Sequence, residues 1–206
     1  MPKVGMQPIR RDQLIRATLA TIDRLGLAET TLAHVARAAG LSTGIVSHYF
    51  GDKSGLIEAT MRYLLRNLRD AIAARRRTAD ASPRAQLLAI IDGNFDEGQI
   101  NHASARAWLW FWAASLHDPQ LERLQQANER RLQSNLCVQF RRVLDAEHAR
   151  AAATGLAAMI DGLWLRGCLG KDAIDLDQVR HIARDYLDQQ LKRGPAAPPE
   201  NHEAPR

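Results

Sequence analysis

The sequence predicts an all-α protein: an N-terminal three-helix helix-turn-helix unit followed by a larger helical body, about nine helices in all. Three observations predict it. Apolar residues recur three and four apart along most of the chain, the period of a helix with one buried face. No segment alternates apolar and polar residues in the manner of a strand. Gly, Asp and Pro interrupt the pattern at intervals suited to helix ends.

The elements follow in order. Leu14, Thr18, Ile22 and Leu25 keep one face of a first helix, about residues 8–26, which Gly26 ends. Leu32, Val35, Ala36 and Ala39 are the apolar face of a short second helix. Thr31 is suited to cap its start, and Gly40 to stop it in a left-handed conformation. Ser42 or Thr43 starts a third helix ending near Phe50. Asp52 caps a long fourth helix, where Ile57, Met61, Leu64, Leu65, Leu68 and Ile72 share a face. The charged, then small and polar, segment Arg75–Pro83 marks the change of composition into the second part. Five more helical stretches are expected there, about 83–98, 103–117, 119–145, 148–170 and 175–193, punctuated by Asp118-Pro119 and Gly170-Lys171-Asp172. The tail from Gly194 holds four of the chain's 8 prolines and is expected to be disordered.

Composition narrows the function. The 206 residues are 46% apolar and 25% charged, ordinary for a globular protein. The longest strongly apolar run, Ala107–Leu116, is about half a bilayer span, and the N-terminus lacks a secretory pattern. A cytoplasmic protein with no membrane partner is expected. Cys137 and Cys168 lack CxxC spacing and nearby His ligands, so they read as small core residues, not a disulfide or zinc site. No metal and no cofactor are expected. The net charge of +5 is unevenly placed: residues 1–77 hold 13 Lys and Arg against 6 Asp and Glu, whereas residues 78–206 hold 15 against 17. A basic first third is the footprint of a nucleic-acid-binding module, although a solvated basic helix surface gives the same count.

Helix, glycine-containing turn and short helix over residues 31–50 have the shape of a helix-turn-helix. On the third helix Val46 and Phe50 are four apart and face inward; Thr43 with Ser47, and Gly44 with His48, face away. A helix enters the major groove only if its leading face is slim and polar. Gly44 lets the backbone come close. Ser42, Thr43 and Ser47 are suited to base edges or phosphates, and Thr31, His48, Tyr49 and Lys53 to phosphates, which set register. The bland alternative is a helical hairpin that merely packs.

These residues carry a resemblance. Thr30-Thr31, Val35-Ala36, Ala39-Gly40-Leu41-Ser42-Thr43-Gly44, His48-Tyr49-Phe50, Lys53 and Leu56 resemble the signature of TetR-type regulators over about residues 8–60. Ser47 departs from it, since many members carry Tyr there, which shortens or removes a phosphate contact. Further similarity, to the choline-responsive repressors of glycine betaine synthesis (BetI type), runs from about residue 5 to 190. It includes Gly44–Lys53, Glu58–Arg62, Ala107-Trp108-Leu109, Phe111-Trp112-Ala113, Ser134-Asn135-Leu136 and Asp161–Arg166. The resemblance implies a homodimeric repressor of choline-to-betaine genes that binds double-stranded operator DNA and is controlled by choline or a related quaternary ammonium effector. It implies a DNA-binding domain over 1–52 and an effector-binding and dimerisation domain over 53–193, linked by helix 53–77, with 194–206 as the tail.

The effector domain holds all four tryptophans, 108, 110, 112 and 164. Trp108 and Trp112 share a helix face, whereas Trp110 points about 200° away. A quaternary ammonium has no hydrogen to donate and is held by aromatic faces, with an acidic group nearby. Phe95, Trp108, Trp112 and Trp164 are candidate rings, and Asp161, one turn before Trp164, the candidate charge. Tryptophans at this spacing also serve as core or dimer interface. Asp92, Asp96 and Glu97 form a second acidic cluster that reads more simply as a solvated face. His102, His117, His148 and His181 read as scattered surface or cap residues.

The last two helices carry Leu156, Met159, Ile160 and Leu163, then Val179, Ile182, Tyr186 and Leu187, with Gly155 and Gly162 allowing close approach. These stripes fill one chain's core or, as the resemblance favours, a four-helix bundle with a two-fold mate. A dimer suits the chemistry, because a wrong base pair costs only about 1–3 kcal/mol and two half-sites multiply discrimination. An enzyme is not expected: no G-x-S-x-G, metal cluster, dinucleotide fingerprint or phosphate loop is present. A same-fold regulator of another lipophilic or cationic ligand, and a purely architectural DNA binder, are the remaining alternatives.

Overall fold

The computed structural model describes residues 6–97, 102–170 and 174–193. Among them the chain forms nine α-helices and no strand. They are α1 (Met6–Glu29), α2 (Leu32–Ala39), α3 (Thr43–Phe50), α4 (Lys53–Thr78), α5 (Pro83–Asn94), α6 (His102–Ser115), α7 (Pro119–Phe140), α8 (Ala146–Leu169) and α9 (Leu176–Lys192). The tail expected from Gly194, the Lys171-Asp172 break and the side chain of His102 lie outside the described residues.

Local chemistry sets the helix ends. The Thr31 hydroxyl accepts the His34 N–H, Asp52 accepts that of Gly55, and Ser82 that of Ala85. Asp118, Asp145 and Asp175 each accept from two main-chain N–H groups of the helix that follows. Such caps stabilise by about 1 kcal/mol each. Gly40 sits at φ 66° and ψ 34°, the left-handed stop expected for α2. Gly26 takes φ 76° inside α1, so the helix breaks there and a last short piece continues to Glu29. The predicted junction near residues 145–148 shifts: α7 ends at Phe140, and Asp145, read as the end of one helix, caps the next.

Two cores organise the helices. The smaller joins Leu14, Ile15, Val35, Ala36, Val46, Phe50, Leu56 and Ala59. The larger takes Leu19 and Ile22 of α1, Ile57, Met61, Leu64 and Leu65 of α4, and the apolar faces of α5 to α9. Helices α1 and α4 thus belong to both. A division at residue 52 falls between Phe50 and Leu56, which share one core. The second part is drawn onto α4 closely: a Cβ on Gly93 of α5 would lie 2.7 Å from the Cα of Ile72. Ion pairs tie its edges, Arg75 to Asp96, Arg184 to Asp92 and Arg84 to Asp188. Asp92 and Asp96 are therefore engaged within the fold.

Of the two readings of the α8 and α9 stripe, the filling of this chain's own core accounts for most of it. Leu156, Ile160, Val179 and Leu187 are buried in its own core, and Met159, Leu163 and Tyr186 pack against that core. Gly155 makes room for the Tyr186 ring of α9, while Gly162 faces open space. Of the stripe only Ile182 is largely exposed. The outward face of α8 is a different one: Ala151, Thr154, Ala158, Asp161 and Leu165, spaced three and four apart.

Candidate functional site

The reading head is α3 held over α1, α2 and the start of α4. Val46 and Phe50 anchor it, Val46 fully buried. The Arg11 guanidinium lies 4.8 Å from the centre of the Phe50 ring and ties α1 to α3 by a cation–π contact. With that side pinned, Ser42, Thr43, Gly44 and His48 are exposed, and Ser47 and Tyr49 are half-buried. Ser42 makes no capping bond with its hydroxyl, which leaves it available at the helix start. Beyond Gly44 the surface is bare backbone; the nearest atom to a Cβ there would be Ser42 Oγ, at 3.9 Å. The narrow face is therefore polar, with Arg11 of α1 beside its Phe50 end.

Two residues on the rim have structural duties. Thr31 caps α2, its oxygen 3.2 Å from the His34 nitrogen. Lys53 Nζ donates to the main-chain carbonyl of Ala28 at 2.9 Å, closing the end of α1 onto the start of α4. Two of its three ammonium hydrogens remain available for another acceptor.

Helices α4 to α8 line a partly open cavity of about 250 Å³ in the second part. That is at the small end for ligand sites, roughly 300–1,000 Å³, and suits a compact molecule. Trp108 and Trp112 of α6 line it, their ring centres 6.3 Å apart and tilted by 49°. Trp164 and Asp161 of α8 line it as well. The Trp164 indole is fixed by its Nε1–H, which donates to the Asn94 carbonyl at 3.1 Å. Asp161 keeps exposed surface at the cavity edge. Its carboxyl is raised to about 6, chiefly because neighbouring groups displace water and secondly because Glu129 adds negative charge. A cation placed there would relieve both effects.

Four of the five residues expected around an effector thus meet at one cavity. Phe95 does not. Helix α5 stops at Asn94, and at the residue that follows the ring turns into the core, fully buried, while the carbonyl accepts from Arg180 at 2.6 Å. Asn94 lines the cavity in its place. Sequence reasoning also missed Arg69, Arg76, Arg131, Asn128 and Asn135 on the wall. A signal existed for two of them, since Arg69 and Arg76 are two helical turns apart on the face that carries Ile72. Trp110, on the other side of α6, is 40% exposed and lies against the α1 break at Gly26. Among the described residues no three His, Cys, Asp or Glu side chains are grouped to hold a metal, and no helix is long and apolar enough to cross a membrane.

Comparison with known proteins matches both parts. Residues 14–60 match the bacterial regulatory proteins of the tetR family, and residues 83–192 match the C-terminal domain of BetI-type transcriptional repressors. The HTH-type transcriptional regulator BetI of Ectopseudomonas mendocina (strain ymp) is 59% identical over 194 residues, 94% of this chain and 99% of that protein. In three dimensions a transcriptional regulator from Rhodococcus sp. Rha1 superposes with a TM-score of 0.78 at 21% identity, covering 91% of this chain and 99% of that one. A regulator from Saccharomonospora viridis, crystallised in complex with choline, superposes with a TM-score of 0.76 at 21% identity, covering 86% and 95%. A slim polar helix on a basic head, carried by a helical body with a cavity, is the arrangement of a DNA-binding regulator, and the chain belongs to the tetR family, with a BetI-type transcriptional-repressor C-terminal domain.

Proposed function

We propose that the protein represses genes converting choline to glycine betaine, and that choline or a related quaternary ammonium compound controls its hold on the operator. The observation that carries the effector reading is the meeting of Trp108, Trp112, Trp164 and Asp161 at one cavity. Aromatic faces attract a methylated ammonium by about 0.5–2 kcal/mol each, and a carboxylate supplies the counter-charge. The choline seen in the Saccharomonospora viridis regulator and the BetI name of relatives near 60% identity support the same reading.

On the DNA side, Ser42, Thr43, Gly44 and Ser47 meet base edges or nearby phosphates, with Thr31, His48, Tyr49 and Lys53 on the phosphates. Two chains related by a two-fold axis set two such heads at the spacing of successive major-groove faces. Effector binding favours a conformation with a different spacing, and its leverage is its differential affinity for that state. A coupling of about 1–3 kcal/mol weakens operator binding roughly 5- to 150-fold.

The test is operator binding by fluorescence anisotropy, using the promoter of a choline-oxidation operon with and without choline. Choline should weaken binding within that range, and its uncharged carbon isostere should do nothing. Operator affinity indifferent to choline would overturn the effector reading; no preference for the promoter over random duplex would overturn the repressor reading.

A further inference from the structure

The cavity wall carries more positive charge than a site for a bare cation should. Arg69, Arg76 and Arg131 line it against one carboxylate, Asp161. Arg69 is neutralised by Asp70, which accepts from its Nε and Nη2 at 2.9 and 2.8 Å. Arg76 has neutral partners: Nε donates to Gln86 Oε1 at 3.1 Å and Nη1 to Asn135 Oδ1 at 3.2 Å. Gln86 is itself aimed by donating to the carbonyls of Arg76 and Asp80. The guanidinium is thus held in place by amides and not neutralised, with three of its five N–H donors unused. Among the described residues no carboxylate lies within ion-pair distance of Arg76 or Arg131.

The charges are also separated. Asp161 borders grooves lined by Gln125 and Glu129 of α7 and by Trp112, while Arg76 is bonded to Asn135. Six residues of helix between Glu129 and Asn135 span about 9 Å at 1.5 Å per residue. One end of the cavity therefore offers aromatic rings and a carboxylate, and the other an uncompensated guanidinium fork. Such forks are matched to tetrahedral oxyanions.

We infer that the effector is a zwitterion, a quaternary ammonium joined to a phosphate or sulfate ester, with the ammonium among Trp108, Trp112, Trp164 and Asp161 and the oxyanion on Arg76. This rests on the quaternary ammonium reading of the same site. Glycine betaine, whose charges are one carbon apart, is too short to reach both ends.

Isothermal calorimetry on the full chain, in low-salt chloride buffer, compares choline, choline phosphate, choline sulfate and inorganic phosphate. At least one ester should bind tenfold or more tighter than choline, and the two ester arms show which oxyanion is preferred. Arg76→Gln should weaken the preferred ester at least tenfold more than it weakens choline. Thermal melting confirms that the variant is folded. The wild-type comparison needs no variant. Choline binding as tightly as both esters overturns the zwitterion and leaves the quaternary ammonium reading standing. Inorganic phosphate binding as tightly as the esters, with no binding of choline, overturns both.

Discussion

Arg106 of α6 donates from Nη1 to the main-chain carbonyl of Asp23 on α1 at 2.7 Å, and its Nε lies 3.5 Å from the Asp23 carboxylate. The same helix presents Trp108 and Trp112 to the cavity. One helix therefore lines the cavity proposed to take the effector on one side and touches α1 on the other. Replacing Arg106 by Ala should leave effector affinity within about twofold and reduce the effector's influence on operator affinity. Calorimetry and anisotropy on the same variant check the two halves; an unchanged influence would show that α4 alone transmits.

Asp161 gives the site a pH dependence. Its carboxyl is raised to about 6 from an ordinary value of 3.8, so the folded state holds a proton that the unfolded chain has released. The charged form is disfavoured in the fold, and its cost grows as pH rises through that window. A bound cation favours the charged form. Choline affinity should therefore fall below pH 6, by at most tenfold per unit. Asp161→Asn should flatten the profile and raise the melting temperature at pH 7.5 but not at pH 4. Titrations at pH 5 and 7.5 decide this.

The two tryptophans of α6 should respond differently. Trp108 is buried and belongs to the core, so Trp108→Ala costs about 3–5 kcal/mol and is expected to melt far earlier. Trp112 is half-buried at the cavity. Trp112→Leu should weaken choline about 2- to 30-fold, the range of one cation–π contact, with a much smaller change in melting temperature.

Lys53 offers a test of the head. Lys53→Met removes a bond to Ala28 and a positive charge at the DNA rim. Operator affinity should fall for every sequence, and the slope of log affinity against log salt should shallow by about 0.9 for each phosphate that is no longer neutralised. Thr43→Ala, by contrast, should change base preference in a competition assay.

The closest approach of α4 and α5 sets a stability test. Gly93→Ala places a methyl against the Ile72 backbone. Overpacking of this kind costs about 1–3 kcal/mol, and each kcal/mol lowers the melting temperature of a chain this size by about 2–4 °C. Differential scanning calorimetry measures it.

Much of the head was legible because its signals are local. Thr31, Gly40 and Asp52 announce helix ends from a few neighbouring residues, and the Val46–Phe50 spacing fixes which side of α3 turns inward. The cavity was legible only in part. Trp108 and Trp112 share a face by spacing alone, but Phe95 left the site because α5 ends at Asn94, four residues short of the expected end, and the Phe95 ring turns into the core. Arg76 escaped notice because its role comes from Gln86 and Asn135, 10 and 59 residues away. The stripe on α8 and α9 stayed open between two readings for a related reason: periodicity names the buried face but not the surface that buries it.

The placement of Trp110 gives the molecule an optical gauge of its own. The other three indoles line the cavity, whereas this one rests on the helix break at Gly26 with two-fifths of its surface in water. With Trp108, Trp112 and Trp164 changed to Phe, emission from Trp110 would follow the joint between head and body without any attached dye. Its colour and its quenching by iodide would then track that joint as DNA is taken up and let go.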